Sequence, residues 1–201
     1  MPEYYEEFGG QVITTAINHF TYVIFSPRND NLIQVFSSDF SVHGQPTTLD
    51  KLEPQEGTEI PISIMKYLDF NQGCNLMISS DVPPRSGLGS SSALAVNLVN
   101  VLTTMKNENR SKYEIAEITH KIERTVLNWP LGKQDEYISS FGGFNLIKFK
   151  KDKIELKKIS INENSYNELQ ENLMMYFIGE RTSSTILPDQ IHSIQKRNSD
   201  V

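Results

Sequence analysis

The sequence predicts a mixed protein of α+β or α/β class, because strand-like and helix-like segments alternate along its length. Three observations carry this. Gln11 to Phe25 is dense in β-branched and aromatic residues and reads as one long strand or a bent pair. Ile115, Ile118, Ile122 and Val126 recur at helical spacing. Between these, the strand-like run Cys74 to Ser80 leads through a glycine and serine loop into an apolar helical segment.

The elements follow in order. After Gln11 to Phe25 and a polar turn at Pro27 to Asp30, Asn31 to Ser38 reads as a strand. His43 to Gly57, with Pro46 and Pro54, reads as a loop. Pro61 to Phe70 predicts a helix with proline at its first position. A helix is expected from about Ser90 to about Met105 and another from near Ser111, where "SKYE" has the spacing of a capping box. Pro130 and Gly132 break that helix, so Asn128 to Tyr137 reads as a loop. "GFNLIKFK" and "KIELKKISI", joined at Lys151 and Asp152, predict a hairpin. Asn172 to Gly179, with Met174, Met175, Tyr176 and Phe177, reads as a buried strand, and Thr182 to Arg197 as a polar helix broken near Pro188.

Composition removes several classes. The formal net charge of −6 argues against a broad basic surface for nucleic acid. No run of about 18 apolar residues predicts a membrane span, and "MPEYYEEFGG" lacks the charge and apolar core of a signal peptide. The expectation is a soluble, cytoplasmic protein of 201 residues. Cys74 is the sole cysteine and reads as inert core. His19, His43, His120 and His192 show no metal-ligand spacing.

The segment Pro83 to Leu102, "PPRSGLGSSSALAVNLVNVL", carries the chemistry. The first N–H groups of a helix lack internal partners and attract anions. Glycine and serine keep the approach open, and serine hydroxyls add donors and Mg²⁺ ligands. A Walker loop is excluded because no Gly-Lys pair stands here. A dinucleotide fingerprint is excluded because Ser92 holds the place of its third glycine. The plain alternative is a tight strand-to-helix turn capped by serine.

"PPRSGLGSSSALA" closely resembles the second motif, P-x-x-x-G-L-G-S-S-A-A, of the GHMP kinases, which include galactokinase and the homoserine, mevalonate and phosphomevalonate kinases. Ser92 stands where that family often has alanine. Ile122 to Phe149 is similar to the sugar-kinase branch, above all to D-glycero-D-manno-heptose 7-phosphate kinases, and "PEYYEEFGGQVITTAINHF" and "MMYFIGERTSSTIL" resemble further segments of it.

The resemblance implies a two-layer α+β GHMP kinase fold like ribosomal protein S5 domain 2. Residues 1–160 would be the ATP-binding domain without its first strand, and 161–201 the start of a C-terminal domain. It implies transfer of the γ-phosphoryl of ATP, with Mg²⁺, to a sugar or sugar-phosphate hydroxyl, with a heptose 7-phosphate as the favoured acceptor. Pro83, Arg85, Ser86, Gly87, Leu88, Gly89, Ser90, Ser91 and Ser92 would wrap the phosphates. Ser90, Ser91 and Glu123 would hold Mg²⁺. Asp135 would accept or orient the acceptor proton. Lys133, two residues away, would lower the Asp135 pKa or meet an acceptor phosphate. Glu3, Tyr5 and Arg181 are candidate acceptor contacts, and Gly142 and Gly143 would allow close packing beside the acceptor.

Each residue also has a plainer reading. Glu123 stands beside a buried stripe and, like most helix carboxylates, reads as a solvated charge. Asp135 reads equally as a loop or cap carboxylate, Lys133 and Arg181 as surface cations, and Glu3, Glu6 and Glu7 as a solvated face. The family's glycine-rich first and third motifs are not found between Met1 and Val201. That keeps a second expectation open: a nucleotide- or sugar-binding remnant, or one subunit of a split kinase. A missing first strand would expose a sheet edge and favour a homodimer.

Overall fold

The computed structural model describes residues 2–151 and 153–176. Its helices are α1 (Pro2–Phe8), α2 (Glu59–Tyr67), α3 (Ser90–Met105), α4 (Lys112–Thr125), α5 (Gln134–Phe141) and α6 (Glu163–Glu171). Its strands are β1 (Gly10–Thr15), β2 (Thr21–Pro27), β3 (Ile33–Ser37), β4 (Val42–His43), β5 (Cys74–Ser80), β6 (Phe144–Lys150) and β7 (Lys153–Lys158). Leu49–Lys51 forms a 3₁₀ turn.

The strands form two sheets. One is antiparallel, in the order β1-β6-β7; the other runs β2-β5-β3-β4. Within the second, β3 and β5 are parallel, joined by a crossover that contains α2. The segment read as one strand or a bent pair is thus two strands that serve different sheets. The break between them is pinned from both sides. The Ala16 N–H donates to the Gly143 carbonyl at 2.9 Å, and the Phe20 N–H donates to Asp81 Oδ2 at 2.9 Å.

Alternation decides which face of the four-stranded sheet is covered. Val23 and Phe25, Ile33 and Val35, and Leu76 and Ile78 pack against α2, α3 and α4. Tyr22, Ile24 and Met77 point the other way and are exposed. Helices over one sheet face make the two layers that the likeness implies. A smaller cluster, Tyr5, Ala116, Tyr137, Ile147 and Phe149, ties α1, α4 and α5 to the three-stranded sheet. Cys74 is buried core, and burial pushes its thiol up to about 11. Among the described residues no helix is long and apolar enough to cross a membrane.

Three expectations change. Pro61 is the third residue of α2, still inside the first turn, where a missing N–H costs no helical bond. The loop expected through Tyr137 ends early, because α5 begins at Gln134, once Pro130 and Gly132 are passed. Asn172 to Tyr176 is not a buried strand. No described strand pairs with it, and Leu173, Met174, Met175 and Tyr176 are all exposed. An apolar run becomes a core strand only where a sheet edge and a covering layer receive it. Phe177 to Gly179, the helix expected at 182–197 and Arg181 lie outside the described residues.

Candidate functional site

The glycine and serine loop is a left-handed backbone that opens onto α3. Arg85, Gly87 and Gly89 have φ of 61°, 79° and 72°. Gly89 is the N-cap of α3, and no side chain caps the helix. The serine-cap alternative therefore does not describe this turn. The first turn of α3 holds no acidic residue, so its N–H groups remain available to an anion. A Cβ on Gly87 would meet nothing within 4 Å, which leaves the approach to the loop open. Ser86 Oγ is buried with no hydrogen-bond partner. Arg85 pairs with Glu56 at 3.2 Å across the loop mouth, and Leu88 is exposed.

Asp135 stands in the first turn of α5 and reaches this loop. A Cβ on Gly89 would lie 3.3 Å from Asp135 Cγ and 3.4 Å from Oδ2. Gly89 thus does two jobs: it supplies the positive φ and gives the carboxylate room. Residues 46 apart in sequence meet here because α3 and α5 pack side by side.

Beneath the loop lies a buried acidic pair. Glu123 on α4 and Glu136 on α5 are both fully buried. Both Glu123 oxygens and Glu136 Oε2 lack hydrogen-bond partners. Ser92, itself buried, and Glu136 face Glu123 without forming a sound hydrogen bond to it. Burial, then the neighbouring Glu136, pushes the Glu123 carboxyl well above its ordinary range; burial pushes Glu136 up as well. His120 Nδ1 lies 2.7 Å from Glu136 Oε1. Burial holds His120 down at about 4, so the ring is neutral where it shares this hydrogen bond with the Glu136 carboxyl.

Unpaired, buried, oxygen-only acceptors next to a phosphate loop suit a hard divalent cation. Among the described residues no group of three or more His, Cys, Asp or Glu surrounds one point. Mg²⁺ takes one or two carboxylates and completes its shell with phosphate and water. The serine facing Glu123 is Ser92; Ser90 is half-buried and Ser91 exposed at the start of α3.

Other expected residues sit elsewhere. The Lys133 ammonium is held by both oxygens of Glu117, at 2.8 and 2.7 Å, and so is tied to α4. Tyr5 is buried and stacks on Phe149 with ring centroids 5.4 Å apart, as core. Glu3 is in α1. Gly142 and Gly143 have φ of 69° and 76°, and a Cβ on either would meet nothing within 4 Å. They turn the chain from α5 into β6 and leave open space on their Cβ side. Sequence reading missed Glu117, His120, Glu136 and Tyr137, which donates its hydroxyl to Glu117. The available signal was the i, i+3 spacing of Glu117, His120 and Glu123 on one face of α4.

Residues 59–143, from α2 through α5, match the model of the GHMP kinases N terminal domain. One curated relative is a D-glycero-alpha-D-manno-heptose 7-phosphate kinase of Campylobacter jejuni, 29% identical over 87% of this chain and 53% of its own. A galactokinase of Staphylococcus saprophyticus is 28% identical over 67% of this chain and 37% of its own. The crystal structure of a D-glycero-D-manno-heptose 1-phosphate kinase from Bacteroides thetaiotaomicron shares the fold. Its TM-score is 0.76 at 23% identity, over 83% of this chain and 56% of that one. The chain spans about half the length of the first relative and of the solved structure.

Proposed function

We propose that this chain is the ATP-binding part of a sugar kinase, which moves the γ-phosphoryl of ATP to a hydroxyl of a sugar or sugar phosphate. One observation carries the reading: the Asp135 carboxylate abuts Gly89, the N-cap of the phosphate loop. A base next to a phosphate cradle is what phosphoryl transfer to an alcohol requires. A heptose 7-phosphate is the favoured acceptor, supported by the Campylobacter jejuni relative. Residues 1–160 act as the ATP-binding domain and 161–201 begin a second one.

The loop N–H groups and those opening α3 receive the phosphate oxygens. Asp135 takes the proton of the acceptor hydroxyl as its oxygen bonds to the γ-phosphorus. The bond from that phosphorus to the bridging oxygen breaks, and ADP leaves. Mg²⁺, when bound, neutralises charge on the phosphates; Glu123 with Ser92, and Ser90 or Ser91 at the helix start, would hold it. Glu136, whose Oε1 lies 2.7 Å from His120 Nδ1, is the acidic neighbour of Glu123 in the same buried site.

A second reading is a nucleotide-binding piece that works with a partner chain. The exposed apolar run Leu173 to Tyr176 favours it. Acceptor-dependent ADP release from Mg·ATP, over heptose and hexose phosphates, separates the two. The kinase reading expects release that Asp135→Asn lowers by about 10²–10⁴-fold. Nucleotide binding without any such release would favour the second.

A further inference from the structure

We propose that the cleft between α1, α4 and the tip of the β6–β7 hairpin is a second anion site, for a small molecule carrying two or more phosphate groups. This rests on the cleft alone and not on the kinase reading. The cleft has a volume of about 820 Å³, the size of a small-molecule site and far larger than one phosphate needs. Among the described residues, six cations line it, Lys121, Arg124, Lys133, Lys150, Lys151 and Lys153, against two carboxylates, Glu6 and Glu117. The chain as a whole carries a formal charge of −6, so this concentration of positive charge runs against the molecule.

Pairing separates these cations. Glu117 holds Lys133, and Glu155 takes both Lys150 and Lys153. Lys121 and Lys151 have no ion pair among the described residues. Lys121 instead lies over the Tyr67 ring, 5.8 Å from its centroid. Two ammonium groups lining one cleft, one from α4 and one from the hairpin, suit an occupant with two anionic groups. The hydroxyls of Tyr67 and Tyr113, which also line the cleft, add donors.

The cleft is not the phosphate loop seen from another side. None of residues 83–92 lines it, and Asp135 does not. Tyr137 does, and Asp135, two residues earlier on α5, is turned about 200° round the helix axis. An acidic macromolecule is the alternative occupant, but the chain's formal net charge of −6 disfavours it.

The test is calorimetric titration of the whole chain with inorganic pyrophosphate at low ionic strength, with the loop saturated by Mg·ATP. We expect one pyrophosphate per chain, bound at least ten-fold tighter than inorganic phosphate. The double variant Lys121→Glu, Lys151→Glu should weaken it at least ten-fold while keeping the thermal shift with Mg·ATP. If that variant does not melt cooperatively, Lys121→Gln with Lys151→Gln replaces it, with the same expectation. Ser90→Leu, titrated without nucleotide, should still bind pyrophosphate. No binding, equal binding in the double variant, loss in Ser90→Leu, or equal affinity for phosphate and pyrophosphate would overturn the proposal.

Discussion

Asp135 and Gly89 carry most of the chemistry, and each can be tested alone. Asp135→Asn keeps size and hydrogen bonding but removes the base. It should leave the Mg·ATP thermal shift in place and remove acceptor-dependent ADP release. Gly89→Ala places a methyl 3.3 Å from Asp135 Cγ at a φ of 72°. The left-handed backbone alone costs a non-glycine residue about 1–2 kcal/mol. Thermal melting should show that loss, and ADP release should fall further than the stability change explains, because Asp135 is displaced. Both residues were legible in the sequence, because a glycine-rich turn and a carboxylate in "GKQD" are local signals. That they touch was not, since only the packing of α3 on α5 brings them together. Glu136 and His120 were invisible for the same reason: a hydrogen bond between α4 and α5 leaves no trace in either segment alone.

Elements whose ends are chemically marked were read well. The helix from Ser90 to Met105 matched because the glycine loop ends where its apolar run begins. The capping box at the start of α4 is fully formed. Glu114 N–H donates to Ser111 Oγ at 3.3 Å, and Ser111 N–H donates to Glu114 Oε2 at 2.8 Å. Ser111→Ala should lower stability by about 1 kcal/mol, measured by denaturant melting. The short helix α5 was lost because Pro130 and Gly132 forbid helix just upstream and its eight residues show little periodicity. The run from Asn172 was misread for the opposite reason. Its composition is that of a core strand, but a strand needs neighbours, and a sequence does not state whether a surface is there to receive it.

At the scale of the whole molecule, the buried carboxyls and His120 set how stability depends on pH. Burial raises the folded pKa of Glu123 and Glu136 above the ordinary 4.5, so the folded state binds the extra proton. Their contribution is complete below the unfolded value and is lost as pH rises through the folded one. His120 has the opposite sign. Its pKa falls from 6.5 to about 4, so its contribution is present above 6.5 and lost as pH falls. Between 4.5 and 6.5 the two trends oppose each other; above 6.5 the carboxyls act alone. The melting temperature without ligand should therefore decline as pH rises past 6.5, and Glu136→Gln should flatten that decline. Mg²⁺ should also reduce it, by favouring the ionised pair.

The proposed phosphoryl transfer requires that the loop from Pro83 to Ser92 hold nucleotide phosphates in this chain. The most direct test is the melting temperature of the whole chain with and without Mg·ATP, beside Ser90→Leu, which fills the mouth of the loop. A rise of several degrees in the natural sequence, absent from a Ser90→Leu variant that still melts cooperatively, is the predicted result. No rise in the natural sequence, or an equal rise in the variant, would contradict it.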